Sequence, residues 1–149
     1  MSLQTKVMEA LKEAMKAKDT IALESLRAIK SAILLAKTEA GAAAELAEEE
    51  ELKLLQKLVK QRKDSAALYA QQGRNDLAEP ELAQVAVIEK FLPAQLSEAE
   101  VEEALKSIIA QVGATSPKDM GKVMGAATKQ LAGKTDGKVI SAIVKSLLA

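Results

Sequence analysis

Apolar residues recur at steps of three and four along most of the chain, a spacing that places them on one face of an α-helix. The first stripe predicts a helix from Leu3 to Ala17 that is capped by Ser2. A second predicted helix follows a cap at Asp19 and ends near Gly41. The inward positions predicted for these two helices are Leu3, Val7, Leu11, Ala14, Met15, Leu26, Ile29, Ile33 and Ala36.

A longer helix is predicted from about Ala43 to Gln72, with Gly73 as its stop. A fourth begins near Pro80, because proline is tolerated in a first helical turn. Their predicted inward positions are Leu52, Leu55, Val59, Arg62, Ala66, Tyr69, Leu82, Val85, Ile88 and Leu92. Spacings of this kind fit antiparallel helix packing, so the N-terminal part is predicted to be a four-helix bundle.

Pro93 interrupts the helical pattern, since proline cannot continue the hydrogen-bond ladder of a helix. Three more helices are predicted beyond it, starting at the Ser97 capping box, at Ser116-Pro117 and at Asp136. Their predicted inward positions are Val101, Ala104, Leu105, Ile108, Ile109, Val112, Met120, Val123, Met124, Ala127, Leu131, Val139, Ile140, Ile143, Val144 and Leu147. The prediction is an all-α fold of two domains, a four-helix bundle at residues 1–96 and a three-helix domain at residues 97–149.

Composition removes several kinds of chemistry. The chain has no Cys and no His, which excludes disulfides, thiolate nucleophiles, imidazole bases and the commonest transition-metal ligands. With one Phe and one Tyr, the cores have to be aliphatic. No apolar run is long enough for a membrane span, so we predict a soluble cytoplasmic protein without a membrane partner, metal or cofactor.

Positive charge is concentrated near the C-terminus although the net charge is zero. Residues 116–149 contain six lysines and two aspartates, a local balance of +4. Either these lysines are a solvated surface, the default for helix positions, or they hold a polyanion such as the phosphate backbone of RNA. The residues hypothesised to bind nucleic acid are Lys118, Lys122, Lys129, Lys134, Lys138, Arg62 and Arg74.

Two pairs of residues near these lysines are interpreted structurally. Gly121 and Gly125 share a helix face, where they would let a partner helix or an RNA backbone approach closely. Gly133 and Asp136 are read as a helix stop followed by a cap, because the earlier glycine of a phosphate-binding loop is missing.

Arg62 lies on the apolar seam of the long third helix. It is interpreted either as one partner of an ion pair between helices, with Glu81 or Glu89 as the carboxylate, or as a functional cation.

Six segments resemble one known family. They are Leu26-Arg27, KQRKDS (60–65), GRNDLA (73–78), FLPAQLS (91–97), KDMGKVMG (118–125) and GKTDG (133–137). With them, nearly the full length resembles YqeY-like proteins, which are related to the tail domain of the GatB subunit of glutamine-dependent aminoacyl-tRNA amidotransferase.

That resemblance implies a multihelical fold of two domains and a role beside tRNA, because the related tail helps the amidotransferase engage tRNA. The family is grouped with carbon–nitrogen ligases that use glutamine as amido donor, but no residues here match a catalytic motif of those enzymes. We therefore expect an accessory protein without intrinsic activity, bound to tRNA or to an amidotransferase. The alternative is a protein-interaction adaptor that binds no RNA.

Overall fold

The computed structural model describes residues 2–41 and 45–149, and all regular structure in these ranges is helical. The α-helices are α1 (Leu3–Ala17), α2 (Thr20–Ala40), α3 (Glu48–Gln71), α4 (Asn75–Glu89), α5 (Glu98–Val112), α6 (Met120–Gln130) and α7 (Gly137–Leu148). A 3-10 turn, Pro117–Asp119, precedes α6. The prediction of an all-α fold is confirmed.

Contacts between residues group the chain into two compact units, Met1–Leu92 with α1 to α4 and Pro93–Ala149 with α5 to α7. Leu96 packs against the core of the second unit. The division into independent domains at residues 1–96 and 97–149 stays a prediction.

The core of the first unit takes one almost fully buried aliphatic side chain from each of its four helices. Val7, Ile29, Leu55 and Ile88 have exposed fractions of 1%, 0%, 1% and 0%. Burying a side chain of this size stabilises the fold by about 1.5 to 3 kcal/mol. These four positions therefore join α1, α2, α3 and α4 without any aromatic residue at the centre.

The second unit repeats this arrangement with three helices. Val101 and Leu105 of α5, Val123 and Ala127 of α6, and Val144 of α7 are fully buried. All five positions were predicted to face inward, so the apolar pattern identified this core correctly.

Two inward predictions are wrong. Met15 is 61% exposed, because the buried stripe of α1 ends at Ala14 and the next residue is rotated by about 100° around the helix. Leu82 is 50% exposed, and Ala78, Val85 and Ile88 form the buried face of α4 instead.

Two predicted helix starts also differ. α4 begins at Asn75, so Pro80 lies inside the helix rather than in its first turn. Only the hydrogen bond that an amide at position 80 would donate is missing, and both Asp76 and Pro80 are exposed to water. The predicted start of the third helix at Ala43 lies outside the described residues, and α3 runs from Glu48.

Side-chain caps were predicted more reliably than helix lengths. Ser2, Asp19, Ser97 and Asp136 each accept a backbone hydrogen bond at the start of α1, α2, α5 and α7, with distances between 3.0 and 3.2 Å. Ser116 is an exception, because its side chain makes no cap hydrogen bond and a 3-10 turn follows it.

Ser97 and Glu100 form the predicted capping box. The Ser97 hydroxyl oxygen accepts from the Glu100 amide at 3.2 Å, and the Ser97 amide donates to the Glu100 carboxylate at 3.1 Å. The backbone N–H of Ser97, and secondarily its hydroxyl, lower the pKa of Glu100 below its ordinary value of 4.5. The charged form is therefore favoured in the folded chain.

This lowered pKa predicts acid sensitivity at the start of α5. Because the pKa of Glu100 is lower when folded than when unfolded, its contribution to stability is present above about pH 4.5 and is lost as the pH falls through the folded value. The side-chain carboxyl resonance of Glu100 should titrate below the ordinary value in an NMR pH series. Glu100→Gln should lose stability at neutral pH and approach the wild type in acid.

Candidate nucleic-acid interface

One face of α6 and the turn before it carries three lysines and two glycines. Lys122, Gly125 and Lys129 follow one another at steps of three and four residues, so they share a stripe on the helix, and Lys118 continues the stripe into the 3-10 turn. All four residues are exposed. The buried residues Val123 and Ala127 lie on the opposite side of α6. Lys118, Lys122 and Lys129, which we call the lysine row, therefore point to solvent.

The ammonium groups of the lysine row are not neutralised by carboxylates. Within residues 2–41 and 45–149, no Asp or Glu oxygen lies within 4.0 Å of the Nζ atom of Lys118, Lys122 or Lys129. Lys106 on α5, by contrast, is paired with Glu102 at 3.7 Å and Glu103 at 3.5 Å. The row is therefore a locally positive surface on a unit whose acidic residues are concentrated on α5.

The N-terminus of α6 adds less positive potential to this surface than the sequence suggests. Asp119 occupies the position just before the helix, and its carboxylate accepts a hydrogen bond from the Thr115 amide at 3.0 Å. A phosphate placed at the helix end would meet this negative charge. The positive charge of this surface therefore comes from the lysines, while the start of α6 carries a carboxylate.

Gly121 and Gly125 have no packing partner in the described chain. Both are exposed, and a Cβ atom built on either one meets no heavy atom within 4 Å. A glycine inside a helix costs about 1 kcal/mol relative to alanine, and no described neighbour uses the space that these two leave. Beside the lysine row, α6 thus exposes bare backbone.

The turn after α6 is held by two residues of the FLPAQLS segment. Gln95 donates from Nε2 to the carbonyl of Gly133 at 2.7 Å, and the Leu96 amide donates to the carbonyl of Lys134 at 2.9 Å. Gly133 is buried with φ +75°, a left-handed conformation in which glycine is favoured, although α6 itself ends at Gln130 with Leu131 as its C-cap. The structure thus brings together two of the six segments that carry the family resemblance.

Gln95 was not among the predicted site residues. Its role was hidden because a glutamine in a proline-containing linker gives no periodic signal, and only the tertiary contact shows which carbonyl it binds. Lys134, which was predicted, is half-buried in the turn that Gln95 and Leu96 hold.

Lys138 lies apart from the lysine row. It lines a groove of about 390 Å³ between α5 and α7 together with Glu98 and Glu102, over an apolar floor of Val139, Ile143 and Leu147. Side chains of both charges thus line this groove.

Arg62 is not in the predicted ion pair. Its Nε donates to Gln84 Oε1 at 2.9 Å and its Nη1 donates to the carbonyl of Leu58 at 3.1 Å. Gln84 in turn donates from Nε2 to Glu24 at 3.0 Å, while Glu89 is paired with Lys63 at 3.4 Å. The prediction of Glu81 or Glu89 as the partner is wrong, because the amide of Gln84 links the guanidinium to a carboxylate on α2.

Arg74 is likewise engaged within the first unit. Its guanidinium makes two hydrogen bonds to the carboxylate of Asp76, at 2.9 and 3.0 Å. This contact raises the pKa of Arg74 and lowers that of Asp76. Much of the positive charge of Arg74 is therefore balanced locally.

A family model described as Yqey-like protein matches residues 4–148, which includes all seven helices except the first residue of α1. The chain belongs to the YqeY-like family. The resemblance drawn from the six segments is thereby confirmed.

Two curated proteins are similar to this YqeY-like chain, and both carry the name "Altered inheritance of mitochondria protein 41, mitochondrial". The one from Clavispora lusitaniae is 36% identical over 123 residues, covering 81% of this chain and 69% of the relative. The one from Meyerozyma guilliermondii is 35% identical over 104 residues, covering 68% of this chain and 53% of the relative. This chain thus spans about half the length of the second relative.

The names of these relatives contradict the predicted cytoplasmic location, because both are mitochondrial proteins by name. The prediction rested on the absence of a long apolar run, which does not distinguish one compartment from another. Among the helices in the described ranges, none is long and apolar enough to cross a bilayer.

Replacing the two exposed glycines of α6 by alanine is predicted to stabilise the protein. Gly121→Ala with Gly125→Ala should raise the free energy of unfolding by about 1 to 2 kcal/mol, because alanine lowers the entropy of the unfolded chain and meets no atom in the folded one. Thermal or urea unfolding followed by circular dichroism measures this. As a control, Gly133→Ala should destabilise the protein because of its positive φ. A destabilised double variant would contradict the open environment of the two glycines.

Proposed function

We propose that this YqeY-like protein is a non-catalytic accessory protein of tRNA-dependent amide transfer, and that it contacts tRNA phosphates through the lysine row. The observation that carries the proposal is the unpaired state of Lys118, Lys122 and Lys129 on one exposed face. The resemblance to the GatB tail supplies the class of nucleic acid.

The lysine row has the reach of a backbone contact. Lys118 and Lys129 are eleven residues apart, about 16 Å along a helix that rises about 1.5 Å per residue. Flexible ammonium groups over this length suit several neighbouring phosphates, and each contact releases condensed counterions. Binding of this type weakens steeply as salt rises.

Aromatic residues are absent from the second unit, since Tyr69 and Phe91 both precede Pro93. Base stacking on that unit is therefore excluded, and stacking is how many proteins bind unpaired bases. The expected recognition depends on phosphate position and on RNA shape, which suits a folded RNA such as tRNA better than a single strand.

Gly121 and Gly125 support this proposal from a different direction. Their missing side chains leave α6 bare beside the lysines, so a sugar–phosphate backbone would approach the helix without displacing a side chain. Binding would then explain why glycine occupies two helix positions at which alanine would make the fold more stable.

A protein-interaction adaptor is the second candidate. The observation that favours it is the groove between α5 and α7, whose apolar floor and charged rim resemble a surface for a partner helix. In this case the lysine row serves only solubility, and an amidotransferase subunit or another protein would occupy the groove.

Charge reversal in the lysine row tests the RNA proposal. Lys118→Glu with Lys122→Glu should weaken binding to bulk tRNA by about tenfold or more at low salt, because two phosphate contacts become repulsions. The slope of log affinity against log salt should also fall by about 2, roughly one per lysine removed. Filter binding across a salt series measures both quantities.

The matched control is Lys6→Glu with Lys12→Glu, which changes the net charge equally at two exposed lysines of α1. It should leave tRNA binding nearly unchanged. An equal loss in both double variants, or no binding by the wild type, would contradict the proposal and favour the adaptor.

The glycines give a separate test of close approach. Gly121→Ala with Gly125→Ala keeps every lysine, yet it should bind tRNA about tenfold more weakly if the backbone contacts α6 directly. Unchanged affinity would show that the glycines play no part in binding, while the lysine contacts would still be judged by the charge-reversal variants.

A further inference from the structure

An open groove runs between α2 and α3 in the first unit. It has a volume of about 450 Å³ and is separate from the lysine row, which lies on α6. Neither the family match nor the proposed contact with tRNA uses it.

The apolar part of the groove combines a protruding side chain with small neighbours. Leu35 is 62% exposed and lines the groove from α2. Ala32 and Ala36 line the groove on either side of it along α2. A projecting leucine flanked by two alanines is complementary to a second copy of the same surface, because each leucine would fill the space above the partner's alanines.

Charges along the groove have opposite signs at its two ends. Glu39 in the last turn of α2 and Glu50 in the first turn of α3 lie where the chain passes from one helix to the next. Lys57 lies about 10 Å further along α3, seven residues from Glu50, and has no carboxylate partner in the described ranges. Lys53 lies between them but is paired with Glu49 at 3.6 Å and Glu50 at 3.9 Å.

We infer that the α2–α3 groove is the interface of a two-fold symmetric homodimer. A two-fold axis through the middle of the groove, near Leu35, turns the acidic end of one copy onto the basic end of the other. Glu39 of one protomer then faces Lys57 of its partner, and the same contact forms twice, while Glu50 stays paired with Lys53 of its own chain at 3.9 Å. A partner protein with an amphipathic helix would fit the apolar floor equally well, but the reversal of charge along the groove is what self-association requires.

The surface is short, so the dimer is a weak one. The residues that line the groove on α3 span about 16 Å between Glu50 and Gln61. We therefore expect weak association, in which the fraction of dimer depends on protein concentration.

Sedimentation velocity on the full chain over a range of micromolar concentrations tests the inference. The wild type should shift from monomer to dimer as concentration rises. Leu35→Glu should raise the dissociation constant by about tenfold or more. The matched control Leu68→Glu, at a leucine that is 55% exposed on α3 but does not line the groove, should leave the dimer intact.

Charge reversal at Glu39 and Lys57 is the decisive experiment. Glu39→Lys alone and Lys57→Glu alone should each dissociate, because like charges then face each other across the two-fold axis. An equal mixture of the two variants should associate again, since both contacts of the mixed dimer pair opposite charges. Circular dichroism of each variant confirms that it is folded.

Three results would overturn the inference. They are a wild type that stays monomeric throughout the concentration range, a loss of dimer with Leu68→Glu equal to that with Leu35→Glu, and a mixture of the two charge variants that fails to associate. The binding of tRNA to the lysine row is measured independently, so failure of the dimer leaves that proposal unaffected.

Discussion

Burial of branched aliphatic side chains on one face of each helix is the interaction on which both units depend. With a single Phe and a single Tyr in the chain, no large ring fills either centre, and residues such as Ile29, Leu105 and Val144 supply the buried area. Each helix buries one face in this way. Its remaining surface is open to solvent, and this is where the lysines of α6 and the groove between α2 and α3 lie.

The position of the lysine row depends on a second, more local constraint. The turn between α6 and α7 is tied to the segment before α5 by Gln95 and Leu96, which bind the carbonyls of Gly133 and Lys134. These hydrogen bonds fix the end of α6 relative to the rest of the second unit. Because Val123 and Ala127 anchor the inner face of the same helix, the direction of Lys122 and Lys129 is fixed by packing rather than by their own contacts.

Periodicity predicted the helices and most of the core because apolar burial has a regular geometric signature, while caps such as Ser97 act through their nearest neighbours in sequence. It failed where a choice depends on tertiary contacts. The residues around Arg62 in the sequence do not show that Gln84, rather than Glu81 or Glu89, accepts its hydrogen bond. Likewise, proline is best tolerated in a first helical turn, so Pro80 misplaced the beginning of α4, where it lies inside the helix instead.

The candidate site shows the same difference between what a sequence reveals and what only tertiary contacts reveal. The lysines and glycines of α6 were visible in the sequence as residue types, but whether carboxylates neutralise them is a question of distance. Within the described ranges no carboxylate oxygen lies within 4.0 Å of the Nζ atom of Lys118, Lys122 or Lys129. Lys138 lies apart from them, in a groove that Glu98 and Glu102 also line. A zero net charge therefore says little about binding here, because most carboxylates of the second unit lie on α5, whereas Lys118, Lys122 and Lys129 lie on α6 or in the turn before it.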